Sequence, residues 1–405
     1  MELSTTLSIL TSTLLAYSAV NWIFFKVLKI ALLKGLVDNP DARKLQKTPV
    51  PVLGGIAVFF GVLSGLLVGA MVYSLTGHVF VSSLLPVMCA MGLMLYIGAM
   101  DDIIGLSPLS RLVIEVLAVM GMIYASGMCI DDFNGMWGIE KFTWWLAVPL
   151  TVFAGVGIIN SINMIDGVNG LSSGLCISCC IIFGLLFAKV GDVYNAALAF
   201  TMMGALIPFF VHNVFGDKSR MFIGDAGTMV MGILMTWFLI NMLSSDSYAV
   251  HYERVNNVNI IAMGLAVLSV PVFDTLRVMT MRMLKGKSPF QPDKTHLHHV
   301  FIQVGISHFV TAMSEIFIGI IVFCLWTLSV KLRASLECQL YIVILVAAGL
   351  VWGTYAFLRY HESRQTHLLH AIQGFSARTH LGRKDWWKRI TAWLDAPEEY
   401  YTPKE

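Results

Sequence analysis

Eleven stretches of apolar residues, separated by short polar connections, run along the chain. They are Ser4–Phe25, Val52–Val72, Ser83–Met100, Leu112–Tyr124, Trp144–Ile159, Leu171–Ala188, Ala196–Val211, Met229–Leu243, Val258–Phe273, Phe309–Val330 and Leu340–Leu358. A helix of roughly 17–25 apolar residues crosses a bilayer, because it satisfies every backbone N–H and C=O internally. The pattern predicts an all-α, polytopic integral membrane protein of about 11 transmembrane helices. The fourth run is the weakest, since Glu115 lies inside it. No internal repeat or low-complexity linker divides the chain. The reading is one transmembrane domain over residues 1–360, with its chemistry at the cytoplasmic face, and a basic cytoplasmic tail over 361–405.

Composition agrees. Of 405 residues, 57% are hydrophobic and 13% charged, whereas a soluble domain carries about a quarter charged residues. The net charge of +2 decides nothing, but its placement does. With eleven spans, the connections alternate between the two sides. Of the 27 Lys and Arg, only Lys141, Lys189, Arg254, Lys331 and Arg333 fall on one side. The crowded side is cytoplasmic by the positive-inside rule, which puts the N-terminus outside and the C-terminus inside. No Lys or Arg precedes the first run, so it reads as a retained helix and not as a cleaved signal.

Seven cysteines are an odd number. Cys176, Cys179 and Cys180 lie within one apolar run with no second pair nearby, so they read as packing residues, and no disulfide is expected. In the tail, Trp386, Trp387, Ile390, Trp393 and Leu394 share one helical face, with Lys384, Lys388 and Arg389 largely opposite. That amphipathic helix is expected to lie in the headgroup layer; docking on the protein's own loops is the alternative.

Four polar clusters fall on the cytoplasmic side. Asp101 and Asp102 end the third run; two adjacent carboxylates there bind a divalent cation, take a proton, or form a solvated turn. In NSINMIDGVNGLSSG, Asn163, Asp166 and Asn169 recur at i, i+3 and i+6, which on a helix is one face. In MFIGDAGTMVMG, Asp225 sits among small residues just before a span, where backbone can approach a phosphate and a carboxylate can hold Mg²⁺. In SPFQPDKTHLHHVF, His296, His298 and His299 form a histidine cluster. The oxygen-rich partners favour Mg²⁺ (or Mn²⁺) over zinc, leaving the histidines as donors to a diphosphate or as proton carriers. Arg277, Arg282, Lys285 and Lys287 precede it as a basic segment.

In that order, PVPVLGG, DD, NMIDGVNGL, GDAGT, SPFQPD and HLHH resemble the polyprenyl-phosphate N-acetylhexosamine-1-phosphate transferase superfamily. Within it the chain is most similar to the bacterial undecaprenyl-phosphate GlcNAc-1-phosphate transferases. The MurNAc-pentapeptide enzymes are similar but carry three consecutive histidines, where Leu297 interrupts the set here. The resemblance implies a membrane enzyme that moves GlcNAc-1-phosphate from UDP-GlcNAc to undecaprenyl phosphate, releasing UMP, at the first membrane step of cell-surface polysaccharide synthesis. It further implies the bacterial plasma membrane, no nucleic acid partner, and room for a homodimer. UDP-GalNAc, UDP-QuiNAc or UDP-MurNAc-pentapeptide is the alternative donor, and a transporter or flippase the alternative class.

By the same resemblance, Asp225 and Asn163 hold the metal. Asp101 and Asp102 handle the lipid phosphate or its proton, with Asp166 and the three histidines also catalytic. Asn169 lies near uracil, and Lys47, Gly54, Gly55, Arg277, Arg282 and Lys285 contact substrate. Asn169 stands where many bacterial members have Asp, and Gln46 and Val52 stand where the family often has His and Arg.

Overall fold

The structure is a computed structural model and describes residues 3–38, 49–76, 82–133, 135–250, 256–289, 294–378 and 384–395. Lys47 and Gln46 lie outside them. The long helices are α1 (Leu3–Lys34), α2 (Gly54–Leu75), α3 (Leu85–Ile104), α4 (Pro108–Ser126), α5 (Trp144–Met164), α6 (Leu171–Val190), α7 (Val193–Phe215) and α8 (Gly224–Leu243). There follow α9 (Ile260–Val267), α10 (Ser269–Leu284), the short α11 (Leu297–Gln303), α12 (His308–Lys331) and α13 (Leu336–Arg364). The tail forms α14 (His367–Arg378) and α15 (Asp385–Leu394). Among the described residues, ten helices are long and apolar enough to cross a membrane, and α9 with α10 makes an eleventh if that bent pair is one span.

Every apolar run of the sequence is therefore helical, but the ninth is not one straight helix. It bends by 79° between α9 and α10. Pro271 supplies the cause: it has no N–H to give the carbonyl of Val267, and its ring clashes there, so the helix breaks at the preceding turn. Other boundaries follow from capping hydroxyls. Ser107 accepts the N–H of Ser110 ahead of Pro108, and Ser307 and Ser335 cap α12 and α13 in the same way, each contact satisfying an orphan donor of the first turn.

The core is built around α8, which is buried from Ala226 to Leu243 and largely apolar on all sides there, as an enclosed helix must be. Helices α2, α3, α5, α6 and α9 surround it. Its first turn is approached closely by backbone. A Cβ at Gly55 would lie 2.2 Å from the Gly227 nitrogen, and one at Gly98 would lie 2.4 Å from the Ala226 Cα. Small residues at such contacts let helix backbones approach closely, so that van der Waals packing holds them where no hydrophobic force between helices exists. Some polar side chains inside the bundle pair with one another, whereas both carboxylate oxygens of the buried Glu315 have no hydrogen-bond partner among the described residues. The Trp237 indole N–H donates to Asn195 Oδ1 at 2.8 Å, and Asn195 Nδ2 to Asn241 Oδ1 at 3.1 Å. No disulfide is present; all seven cysteines are free.

One small sheet sits at the end of the bundle where α3 and α5 finish and α8 begins. Strand β1 (Val37–Asp38) pairs antiparallel with β2 (Val50–Pro51), with Val37 opposite Pro51. Pro51 O accepts the N–H of Phe222, and Gly54 and Gly55 donate to Phe222 O and Ile223 O at 3.0 and 2.8 Å. The turn between β2 and α2 passes through Leu53 at φ 89°, a left-handed conformation costing a bulky residue on the order of 1–3 kcal/mol. The PVPVLGG segment thus clamps the strand-like run that leads into Asp225.

Candidate active site

The polar motifs at the ends of the spans meet at one cleft of about 630 Å³, within the usual size range of small-molecule sites. Asp101, Asp102, Asn163, Asp166, Asn169, Asp225, His298 and His299 all line it, with Asp38, Asn213 and Phe222. Among the described residues its lining includes five carboxylates and no Lys or Arg.

Asp101 and Asp102 occupy the last turn of α3 and point to different partners. Asp101 Oδ1 accepts the Leu106 N–H at 2.6 Å, and its Oδ2 pairs with Arg111 at 2.8 Å. Asp102 accepts the N–H groups of Asp225 and Ala226 and so caps α8. Asp225 lies in the first turn of α8, which starts at Gly224, five residues before the apolar run that begins at Met229.

Asn163 joins α5 to α8. Its Nδ2 donates to Asp225 Oδ1 at 2.6 Å and to Thr228 Oγ1 at 2.8 Å. That fixes the amide so that Oδ1 faces Arg111, at 3.3 Å. Arg111 also approaches Asp225 Oδ2 at 3.5 Å. One guanidinium therefore stands among Asp101, Asp225 and Asn163 Oδ1, three hard oxygen donors that converge on positive charge. That donor set fits Mg²⁺, although no group of three acidic, His or Cys side chains forms a closed metal cage among the described residues.

Asn163, Asp166 and Asn169 do not lie on one helix face, as their spacing suggested. Helix α5 stops at Met164, and residues 165–170 form a turn that brings all three to the cleft by a different route. The turn is fastened at its C-terminal end: Gly170 N–H donates to Asn213 Oδ1 at 2.7 Å, and Asn169 N–H to His308 Nδ1 at 3.4 Å. Asp166 accepts the Ser172 hydroxyl at 2.5 Å. Burial pushes its carboxyl up to about 6, against the lowering effect of that hydroxyl, and the Asp225 charge adds to the rise.

The histidine cluster divides. His296 turns away from the cleft and is buried against Asp274, with Nδ1 at 2.8 Å from Asp274 Oδ2. Asp274, fully buried, also binds Arg277 at 2.8 Å and accepts the Leu297 N–H. Arg277 stacks on Tyr355 at 3.9 Å from the ring centroid. His296 and Arg277 are therefore parts of a buried latch that starts α11, and not lining groups of the cleft. Arg282 donates to Pro289 O and Lys285 is exposed after α10; neither lines the cleft. Gly54 and Gly55 act through backbone, on the loop before Asp225.

His298 and His299 remain at the site, with ring centroids 4.4 Å apart. Neither nitrogen of His298 has a hydrogen-bond partner in the structure, and its Nε2 faces Gly167 so closely that a Cβ there would lie 2.5 Å away. Burial first, then the neighbouring His299 and His296, holds its pKa well below the ordinary imidazole value. The ring is neutral and can accept or donate a proton.

Three contributors escaped the sequence reading. Arg111 was counted only as positive-inside charge. Asp274 stands three residues before Arg277, a spacing that could have marked an ion pair. Asn213, inside a long apolar helix, is the polar exception that could have marked a turn-holding side chain.

A bundle of apolar helices with a polar, carboxylate-rich cleft at one end of the spans is the build of a polytopic membrane protein with a ligand site, and the relatives make its class that of the transferases. The profile of glycosyl transferase family 4 matches residues 84–243. The chain is 30% identical over 289 residues to the undecaprenyl-phosphate alpha-N-acetylglucosaminyl 1-phosphate transferase of Yersinia pestis, covering 70% of this chain and 74% of that one. The enzyme of the same name from Escherichia coli K12 is 30% identical over 287 residues, covering 69% and 72%. The decaprenyl-phosphate N-acetylglucosaminephosphotransferase of Mycolicibacterium smegmatis is 30% identical over 332 residues, covering 78% and 79%. The chain belongs to this family of membrane sugar-phosphate transferases.

Proposed function

We propose that the protein transfers N-acetylglucosamine 1-phosphate from UDP-GlcNAc to undecaprenyl phosphate, giving undecaprenyl-diphosphate-GlcNAc and UMP. The observation that carries this reading is the cleft itself. Among the described residues it is lined by Asp38, Asp101, Asp102, Asp166 and Asp225, with Arg111 paired to Asp101 and Asp225 behind them, so five carboxylates outweigh the guanidinium and an anionic diphosphate is best accommodated together with a cation. The activity of the relatives supports the same reading, and the excess of Lys and Arg on the same side supports a cytoplasmic site in the plasma membrane, where nucleotide sugars are at hand.

Phosphoryl transfer asks for positioning and charge neutralisation more than covalent chemistry. An oxygen of the lipid phosphate attacks the β-phosphorus of UDP-GlcNAc, and a new P–O–P bond forms. The bond between the β-phosphorus and the oxygen on the α-phosphorus breaks, and that oxygen leaves with UMP. Asp225 and Asn163 Oδ1 would hold Mg²⁺, which when bound would neutralise charge on the diphosphate and the departing phosphate. Arg111 neutralises the carboxylates around it and, with Asp101, borders the position of the attacking phosphate. Asp102 holds α8 so that Asp225 faces the cleft. His298, neutral and without another partner, donates to a diphosphate oxygen, and His299 stands beside it. Asn169, on its fastened turn, meets the uracil end.

The test is to incubate purified protein with undecaprenyl phosphate, Mg²⁺ and UDP-GlcNAc, then with a panel of other UDP-sugars, and to identify the nucleotide. UMP formed one-for-one with lipid diphosphate-GlcNAc, and lost with a chelator, is the expected result. UMP only with another donor would reassign the sugar. No nucleotide release with any donor would overturn the reading in favour of a transporter.

A further inference from the structure

We propose that α14 and α15 form a strap that positions the active site, and that Asp395 is the positioning residue through which it fixes the loop carrying Asp225. Only the kinetic part of its test rests on the proposed reaction.

The strap holds both loops that deliver the site. Helix α14 grips the turn after the histidine helix: Gln373 Nε2 donates to Val304 O at 2.7 Å, and the Ser307 N–H to the buried Ser376 Oγ at 2.9 Å. Helix α15 grips the end of α7. The Trp387 ring packs 4.4 Å from Phe215 and 6.3 Å from Phe309, and Thr391 Oγ1 donates to Phe215 O at 2.8 Å. The tail helix thus docks on the protein's own loops, the alternative weighed against a headgroup position, while Trp393 stays 80% exposed.

Asp395 completes the contact. Its carboxylate accepts the N–H of Ser219 at 2.9 Å, of Lys218 at 3.1 Å and of Asp217 at 3.3 Å. Successive N–H groups turned to one side make a concavity that takes an anion; here the chain supplies its own. Burial alone would raise the Asp395 pKa, but these N–H groups hold it below the ordinary carboxylate value, so the anion persists at neutral pH.

From this anchor the path to the chemistry is short. Ser219, fully buried, meets His212 Nδ1 at 3.2 Å. Asn213 Nδ2 donates to Met221 O at 2.9 Å, while its Oδ1 holds the Gly170 N–H beside Asn169. Phe222 and Ile223 are then paired to Pro51, Gly54 and Gly55, and the next residues are Gly224 and Asp225. Releasing residues 217–219 frees one side of that path, and with it the placement of Asp225.

The test compares full-length wild type with Asp395→Ala and Asp395→Asn, and uses Trp393→Ala as a control on the same helix. Amide hydrogen exchange is followed over residues 217–223 and at Asp225 and Ala226. In Asp395→Ala, both groups of amides should exchange at least about tenfold faster. The kcat should fall about tenfold, the scale that sub-ångström to ångström misplacement produces. The Mg²⁺ requirement should rise while KM for the lipid stays unchanged. Asn, which keeps Oδ1 on Asp217 and Ser219, should recover part of each loss, and Trp393→Ala should match wild type. Faster exchange confined to 217–223, with Asp225 and Ala226 unaffected, would make the strap a local fastening only and overturn the proposal. So would unchanged exchange throughout. If wild type releases no UMP, the reaction fails separately, and exchange at Asp225 and Ala226 still decides the strap.

Discussion

The carboxylate of Asp102 accepts the backbone N–H of Asp225 at 2.9 Å and that of Ala226 at 3.1 Å. A carboxylate at the end of α3 thus satisfies the orphan donors of α8 and meets the positive end of its dipole. The contact depends on Gly224, which has φ +71° and lies against Asp102: a Cβ there would be 2.4 Å from Oδ2. Gly224→Ala should therefore push Asp102 off α8. Thermal melting in detergent should show a loss on the order of 1–3 kcal/mol, with a larger proportional loss of turnover. Wild-type melting and turnover in that variant would contradict the capping role.

Arg111 is the cation among Asp101, Asp225 and Asn163. Arg111→Ala should lower kcat by about 100-fold, the scale for losing one electrostatic stabiliser. Raising Mg²⁺ should restore part of the loss, because the carboxylates then have another cation to share. Arg111→Lys should fall between, keeping the charge but not the planar fork. The check is a Mg²⁺ titration of turnover for the three proteins; superimposable curves would contradict the assignment.

His296 and His298 should separate when stability and turnover are measured side by side. His296 shares the buried Asp274 with Arg277, and leaving a buried carboxylate short of a hydrogen-bond partner costs about 1–3 kcal/mol or more. His296→Ala should melt earlier and lose activity as a consequence. His298 has no hydrogen-bond partner to lose. His298→Gln should melt close to wild type yet turn over about 100-fold more slowly. Equal melting losses would show that both histidines serve the same latch.

Asp166 should give a pH-dependent stability difference. Its folded pKa is raised to about 6 from 3.8, so the folded protein binds the proton more tightly than the unfolded chain. Burial of the charge is therefore destabilising above about pH 6, and the penalty fades as pH falls through that value. Asp166→Asn should melt later than wild type at pH 8, by on the order of 1 kcal/mol after screening, and the difference should fade as pH falls from about 6 toward 3.8, the window between the folded and unfolded values. A difference that grows toward low pH would have the wrong sign.

Much of this was legible in the sequence because a membrane imposes one rule on every span. The runs from Ser4 to Leu358 all became helices, and the polar motifs stood out because they end spans instead of interrupting them. The break at Leu268 was missed although its cause, Pro271, is plain, since hydropathy does not register a lost N–H. The division of the histidines was hidden for a different reason. His296 is set apart by Asp274, 22 residues earlier, and only the fold brings them together. The placement of Arg111 was hidden likewise, because a lone basic residue after a polar turn reads as ordinary sidedness.

The central claim is that the β-phosphorus is the atom attacked. The direct test supplies UDP-GlcNAc labelled at the β-phosphate, with undecaprenyl phosphate and Mg²⁺, and follows the label. The account predicts that the label passes into the lipid diphosphate while unlabelled UMP is released, and that Asp225→Ala abolishes both. Label released in UDP, with GlcNAc joined to a lipid monophosphate, would mean that the sugar carbon is attacked and would contradict the mechanism.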